Sequence, residues 1–235
     1  MKTLSEKFWS RYFRAYDILN ECSAYKVLMA CFVEKAAIPK NSLVLDAGCG
    51  SGNLSILLKN NDFRVVGIDF NEYAINIAEH KNSDIEYKIH DLRETLPFKN
   101  ESFECIVSNN VIYALDYDSR ERLINELYKV LKPQGICIIS SIREGWNPYR
   151  ILFEEIKNRK REKGYFKTIL DAIKWFKPLL VVLWSNQIVL KNKTKEFDLF
   201  VREGEVADLM FKSGFIDIKE RPVYSNQAIM TIGKK

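Results

Sequence analysis

The chain has 235 residues, 47% hydrophobic and 29% charged, with a formal net charge of +5; this suits one sizeable, soluble α/β domain with room for an inserted lid. Its five cysteines are scattered, form no CxxC pair and stand with only two histidines. That argues against a disulfide framework or a structural zinc site, so no metal is expected.

The opening segment, "MKTLSEKFWSRYFRAYD", is charged throughout, which speaks against a secretory signal. Residues 5–35 read as helix, with Phe8, Tyr12, Ala15 and Leu19 at helical spacing, and Pro39 and Asn41 end the region. "SLVLDAG" is a short apolar run closing on Asp46 and Gly48, a buried strand, and "NLSILLKNN" follows as helix. "RVVGIDF" is a second strand, ending in Asp69. "EYAINIAEHK" is helical. "IEYKIHD" alternates and ends at Asp91. "FECIVSNN" is a fourth strand, "SRERLINELYKVLKP" a helix closed by Pro133, and "GICIISS" a fifth strand. Strands and helices alternating at this spacing predict parallel βαβ units. After the helix "GEVADLMFKSGF", the runs "FIDIKERPVY" and "QAIMTIGK" are joined by a short connection, which predicts an antiparallel pair at the sheet edge.

Three glycines, Gly48, Gly50 and Gly52, fall within five residues at the end of the first strand. Bare backbone there lets a ligand approach closely, and this crevice is where open α/β sheets bind ligands. An acid ending the second strand, Asp69, is placed to hold ribose hydroxyls. A dinucleotide fingerprint needs GxGxxG, but here the third glycine comes one position early. Asp46, two residues before the first glycine, would repel a pyrophosphate and tolerate a cationic centre. A nicotinamide-dependent oxidoreductase is therefore disfavoured.

Together "VLDAGCGSG", "GIDFN", "HDLRETLPFKNESFECIVSNNVIYAL" and "YKVLKPQGICIIS" resemble class I S-adenosylmethionine-dependent methyltransferases, in flavour the small-molecule, quinone- or lipid-modifying branch. The resemblance covers about residues 40–141 plus the C-terminal strand pair. It implies a Rossmann-like, doubly wound, seven-stranded and mostly parallel sheet with an antiparallel seventh strand. The cofactor it implies is S-adenosyl-L-methionine, with S-adenosyl-L-homocysteine as product. Asp46, Gly48, Cys49, Gly50, Ser51 and Gly52 would lie beneath its methionine part. Asp69 would bind the ribose, Phe70 flank the adenine, Asp91 take the adenine amino group, and Leu92 offer a backbone N–H to the ring. Tyr12 and Tyr16 lie in an N-terminal helix that in such enzymes covers the cofactor. Asn109 would present its carbonyl and side chain near the transferred methyl. Tyr16, Asn109 and Tyr113 are the candidate catalytic groups. Blander roles stand beside these: Asp91 as a turn residue, Cys49 as a small loop residue, His90 as a strand-end histidine, Asn110 as a cap. A helix-capping role for Asp46 is set aside, because it lies too far ahead of the helix at Asn53.

The domain divides into an N-terminal helical cap (1–40), a cofactor-binding core (41–141), a helical lid insertion (142–200) and a C-terminal helix with strand pair (201–235). From Arg150 to Lys195 the insertion carries twelve Lys or Arg against four Asp or Glu, so the rest of the chain is close to −3. "FKTILDAIKWF" sets Phe166, Ile169, Leu170, Ile173 and Phe176 on one face, Pro178 interrupts, and "LLVVLW" follows. Charge and proline argue against a membrane span and leave a lid, an interfacial helix on anionic lipid, or a solvated basic helix. Trp146, Trp175 and Trp184 suit the wall of an apolar pocket. The aromatics do not interleave with the basic run as a nucleic-acid platform would. The expectation is a cytoplasmic methyltransferase, peripheral to a membrane at most, acting on a small apolar or amphiphilic, lipid-like or anionic acceptor. The alternatives are a non-catalytic cofactor-binding partner subunit of the same fold and an RNA-directed methyltransferase using the basic insertion.

Overall fold

Runs such as "VLDA" and "CIVS", almost wholly apolar, form strands buried on both faces, as a parallel sheet between helix layers requires. The computed structural model describes residues 11–15, 17–192 and 201–235. Its sheet has seven strands: β1 (Leu43–Ala47), β2 (Arg64–Asp69), β3 (Glu86–Ile89), β4 (Phe103–Asn109), β5 (Leu131–Ile142), β6 (Ile216–Val223) and β7 (Ala228–Lys234). Their order is β3-β2-β1-β4-β5-β7-β6. The first five are parallel, and β7 runs antiparallel to both β5 and β6. β1 pairs with β2 on one side and β4 on the other, so the glycine loop behind it leaves the sheet at the topological switch point.

Helices cover both faces. On one side α1 (Ser23–Ala36), α2 (Asn53–Lys59) and α3 (Glu72–Lys81) pack Leu28, Phe32, Leu58 and Ile75 against the sheet. On the other, α4 (Tyr117–Val130) contributes Leu123, Ile124 and Leu127. Each fully buried side chain of this size stabilises the fold by about 1.5–3 kcal/mol. Asp116 caps α4 by accepting the Ser119 N–H at 2.8 Å, and Asn71 caps α3 through the Ala74 N–H at 3.0 Å.

Two helix boundaries differ notably from the sequence reading. The N-terminal helix is divided: residues 11–15 are helical, Asp17–Glu21 form a 3₁₀ turn, and Cys22 is extended before α1 begins. The cause is distant in sequence. Glu155 accepts both the N–H (2.7 Å) and the hydroxyl (2.6 Å) of Ser23, capping α1 from the insertion. Residues 5–10 lie outside the described residues. α4 ends at Val130, ahead of Pro133, because Leu131 already pairs with Phe103 in the sheet.

The insertion is helical over α5 (Pro148–Asn192). Its break falls at Gly164 (φ 78°, ψ 171°), and the helix continues through Pro178. A positive φ is cheap only for glycine, so Gly164 sets the bend between the two halves. α6 (Glu205–Lys212) follows, and its Glu205 closes a buried ion pair with Arg120 at 2.6 Å.

Candidate active site

The chain leaves β1 through two N–H groups, Gly48 and Cys49, that both donate to the Ile68 carbonyl at 2.8 and 3.0 Å. This sharp exit requires Gly48 at φ 83°, and a Cβ there would meet both Val111 methyls at under 3.0 Å. Gly52, at φ 79°, starts α2; a Cβ would lie 2.6 Å from the Tyr87 hydroxyl. Gly50 differs, since only Phe13 of the N-terminal helical turn comes near, at 3.6 Å from a Cβ placed there. Thus two glycines serve packing from behind, and one leaves backbone bare on the side that the N-terminal segment covers.

Two acids sit at this loop. Asp69, ending β2, accepts the Gly50 and Asn71 N–H groups, each at 2.9 Å. Burial pushes its carboxyl up, against those N–H groups, which pull it down. Asp46 is fully buried and accepts the Ser55 hydroxyl at 2.5 Å. Burial pushes it up to about 7, with Ser55 opposing and the Asp69 charge adding. Gly52, not Asp46, is the N-cap of α2, as the sequence argument holds; Asp46 reaches the first turn of that helix only through Ser55. The loop folds back and brings the two together.

The other expected residues fall as follows. Cys49 is buried with its thiol pushed up by burial; it is a packing residue. Ser51 is buried and donates to Asp17 at 3.2 Å, so its side chain holds the N-terminal segment. Phe70 is 62% exposed beside Asp69. Asp91 pairs with Arg93, which holds its carboxyl below the usual range, and the Leu92 side chain is buried. Asn109 ends β4. Tyr113 lies on the 3₁₀ turn Ile112–Ala114, which Arg120 pins by donating to the Ile112 and Leu115 carbonyls at 3.2 and 2.9 Å. Tyr12 stands near Tyr113 and Tyr25, and burial with these neighbours pushes its hydroxyl up. Tyr16 lies outside the described residues.

Residues not singled out for the site by sequence complete it. Tyr25 packs edge-on against Tyr224 at 6.3 Å. With Tyr12 and Tyr113, four tyrosines from four separate segments thus gather beside the loop. Asp17 fastens the N-terminal segment by accepting from Ser51, Asn53 (3.3 Å) and Lys81 (2.7 Å). The Asn109 and Asn110 side-chain carbonyls, the Ser140 hydroxyl, the Trp146 indole N–H and His90 Nε2 are buried with no hydrogen-bond partner among the described residues. Asn109, Asn110 and His90 lie at or one residue beyond the carboxyl ends of β4 and β3, Ser140 pairs level with Asn109, and Trp146 follows β5. Buried polar atoms without partners are costly, and their gathering at one edge marks a polar binding surface.

The insertion closes over the same segment. Arg159 donates to Glu155 (2.6 Å), to Asp171 and to the Glu21 carbonyl (2.6 Å), and its guanidinium lies 3.7 Å from the Trp175 ring centre. Trp175 Nε1 and Lys174 Nζ both donate to Glu21, at 2.9 and 2.6 Å.

A doubly wound sheet, a glycine loop at its switch point and an acid ending β2 define a nucleoside-cofactor enzyme of the open α/β class. Comparison with known proteins narrows this. The family described as "Methyltransferase domain" matches residues 44–135. An uncharacterized protein of Methanocaldococcus jannaschii is 30% identical over 210 residues, 89% of this chain and 75% of that one. Demethylmenaquinone methyltransferase of Anoxybacillus flavithermus is 23% identical over 94% of this chain and 90% of its own. The structure of a TehB-like SAM-dependent methyltransferase from Corynebacterium glutamicum shares the fold, with a TM-score of 0.63 at 16% identity over 98% of this chain and 100% of that one.

The chain belongs to the class I S-adenosylmethionine-dependent methyltransferases. Its cofactor is S-adenosyl-L-methionine, and the residues present fit it. Acceptor oxygens of Asp69 and Asn109, bare backbone at Gly50, and one buried and one half-buried acid match a ligand of hydroxyls, amino groups and positive charge.

Proposed function

We propose that this methyltransferase acts on a small apolar or amphiphilic acceptor, held between the N-terminal segment and the insertion, in the cytoplasm. The observation that carries the reading is the tyrosine cluster. Tyr12, Tyr25, Tyr113 and Tyr224 offer aromatic faces with polar tips beside the glycine loop, and Arg159, Trp175 and Lys174 fasten the insertion over the segment that bears Tyr12. Apolar walls with a few convergent polar groups are the makeup of a small-molecule pocket. The relative named for demethylmenaquinone supports an acceptor of quinone kind.

In this reading the whole chain is one methyltransferase domain: cap, core, lid and C-terminal strand pair. Asp69 holds the ribose hydroxyls, Phe70 and Leu92 border the adenine, and Asp91 takes its amino group. Gly48 to Gly52 run beneath the methionine part, and the Asp46 charge favours the ligand's positive end. When bound, S-adenosyl-L-methionine supplies a methyl group activated by its sulfonium, with a good neutral leaving group. The protein's own residues align the acceptor and exclude water. Orientation of this kind is worth up to about 7–11 kcal/mol. Burial pushes the Tyr113 hydroxyl up, so it stays protonated at neutral pH and orients the acceptor by hydrogen bonding rather than by removing a proton. Asn109 adds an acceptor oxygen at the same edge.

The test is label transfer. Protein and methyl-labelled cofactor are incubated with cell extract, and label is followed into organic-soluble, RNA and protein fractions. Mass-shifted product should appear in the organic-soluble fraction. Asp69→Ala should lose it and weaken cofactor binding by roughly 1.5–3 kcal/mol in calorimetry, the worth of charge-assisted hydrogen bonds. Label in RNA would overturn the reading in favour of the basic insertion's other use. No transfer at all, with cofactor binding intact, would make the chain a non-catalytic partner.

A further inference from the structure

The second half of α5 has two opposite faces. Thr168, Trp175 and Val182 are buried on the inner one. On the outer one Phe166, Ile169, Ile173, Phe176, Leu180 and Trp184 are all exposed, with Phe166 at 75% and Ile173 at 68%. At 3.6 residues per turn these six fall within an arc of about 80°, along roughly 27 Å of helix. So large an apolar stripe in the open marks an interaction surface.

The charges around it choose the partner. Lys177 borders the stripe on one side, Lys167 lies about 100° round the helix from that same edge, and both are exposed. The acid in that stretch, Asp171, is turned away and held by Arg159. A second copy docked face to face would bring the same lysines together without an acid to meet them. An apolar stripe with cations along one side fits the headgroup and acyl boundary of an anionic bilayer. No helix among the described residues is long and apolar enough to cross a membrane, so the contact would be lateral. The stripe also leads to the site. At its end the Arg11 guanidinium lies 5.8 Å from the Trp184 ring centre, and Arg11 adjoins Tyr12 and Phe13, which cover the glycine loop.

We propose that this outer face of α5 docks on an anionic lipid surface, and that the acceptor passes from that surface to the site beside Trp184 and Arg11. The inference rests on the acceptor being apolar or amphiphilic. It is tested without turnover, by sedimenting the full chain with vesicles of phosphatidylcholine and phosphatidylglycerol in a two-to-one ratio, or of phosphatidylcholine alone. The protein should pellet with the mixed vesicles, release as salt rises, and stay in solution with the neutral ones. Lys167→Gln/Lys177→Gln should weaken binding roughly thirtyfold, the equivalent of about 1 kcal/mol per lysine. Ile173→Ser/Phe176→Ser should abolish it, with S-adenosyl-L-homocysteine affinity unchanged in both variants. Failure of the parent to pellet would overturn the proposal. So would variants that bind as the parent does, or a dimer in light scattering that Ile173→Ser/Phe176→Ser dissociates. Label transfer to an aqueous acceptor by a protein that binds vesicles would refute the acceptor reading and the passage of the acceptor from the surface, leaving the docking alone.

Discussion

Asp46 is buried in the central strand with its carboxyl pushed up to about 7, and this makes folding stability depend on pH in an unusual direction. The native state holds the proton more tightly than the unfolded chain, where an aspartate titrates near 3.9. Its stabilising contribution is therefore complete below about pH 4 and is lost as pH rises through about 7. Between pH 5.5 and 8 the loss is about 2 kcal/mol, because each tenfold difference in proton affinity is worth about 1.4 kcal/mol. Asp46→Asn removes the ionisation and keeps an oxygen to accept the Ser55 hydroxyl. The offset between variant and parent also includes a changed hydrogen bond to the Ser55 backbone, but that part does not vary with pH. Urea denaturation at a series of pH values isolates the ionisation. The variant should gain on the parent by about 2 kcal/mol between pH 5.5 and 8. Parallel stability curves over that range would refute the reasoning, because they would show that the carboxyl does not titrate there.

Gly48→Ala should destabilise the fold by about 1–2 kcal/mol for its positive φ and about 1–3 kcal/mol for collision with Val111. Adding Val111→Ala should recover the collision part alone, a non-additivity readable in the same urea experiment. Arg159→Ala leaves Glu155 and Asp171 without their shared partner, a loss of about 3–5 kcal/mol where such a pair is buried; amide exchange across α5 and residues 17–23 should rise while β1 to β5 keep their protection. Unchanged exchange in α5 would show that Arg159 is not what holds the lid.

Most of the fold is legible in the sequence because its signals are local. Each parallel strand is a short apolar run, and the loop glycines stand where a backbone must turn sharply. The errors come from contacts distant along the chain. Nothing near Cys22 announces a break, because the group that caps Ser23 is Glu155. Pro178 reads as the interruption of the insertion, yet the unusual dihedral belongs to Gly164, a glycine whose neighbours give no sign of a bend. Asp46 reads as too early to cap α2, and the cap is Gly52; what sequence spacing does not show is the loop folding Ser55 back onto Asp46. Tyr25 is not among the residues the sequence singles out, and Tyr224 only ends the run "FIDIKERPVY"; the tertiary fold places them together.

The N-terminal segment gives these separate pieces a common mechanical logic. Asp17 binds Ser51, Asn53 and Lys81 at the glycine loop. Glu21, one turn later, binds Lys174, Trp175 and, through its carbonyl, Arg159 in the insertion. A single 3₁₀ turn therefore connects the loop to the lid. The carboxylate of Asp17 at the turn's start faces the glycine loop, and that of Glu21 at its end faces the insertion. Under the proposed function, that junction would tie the element shielding the site to the loop beneath the cofactor, as a transfer kept from water needs.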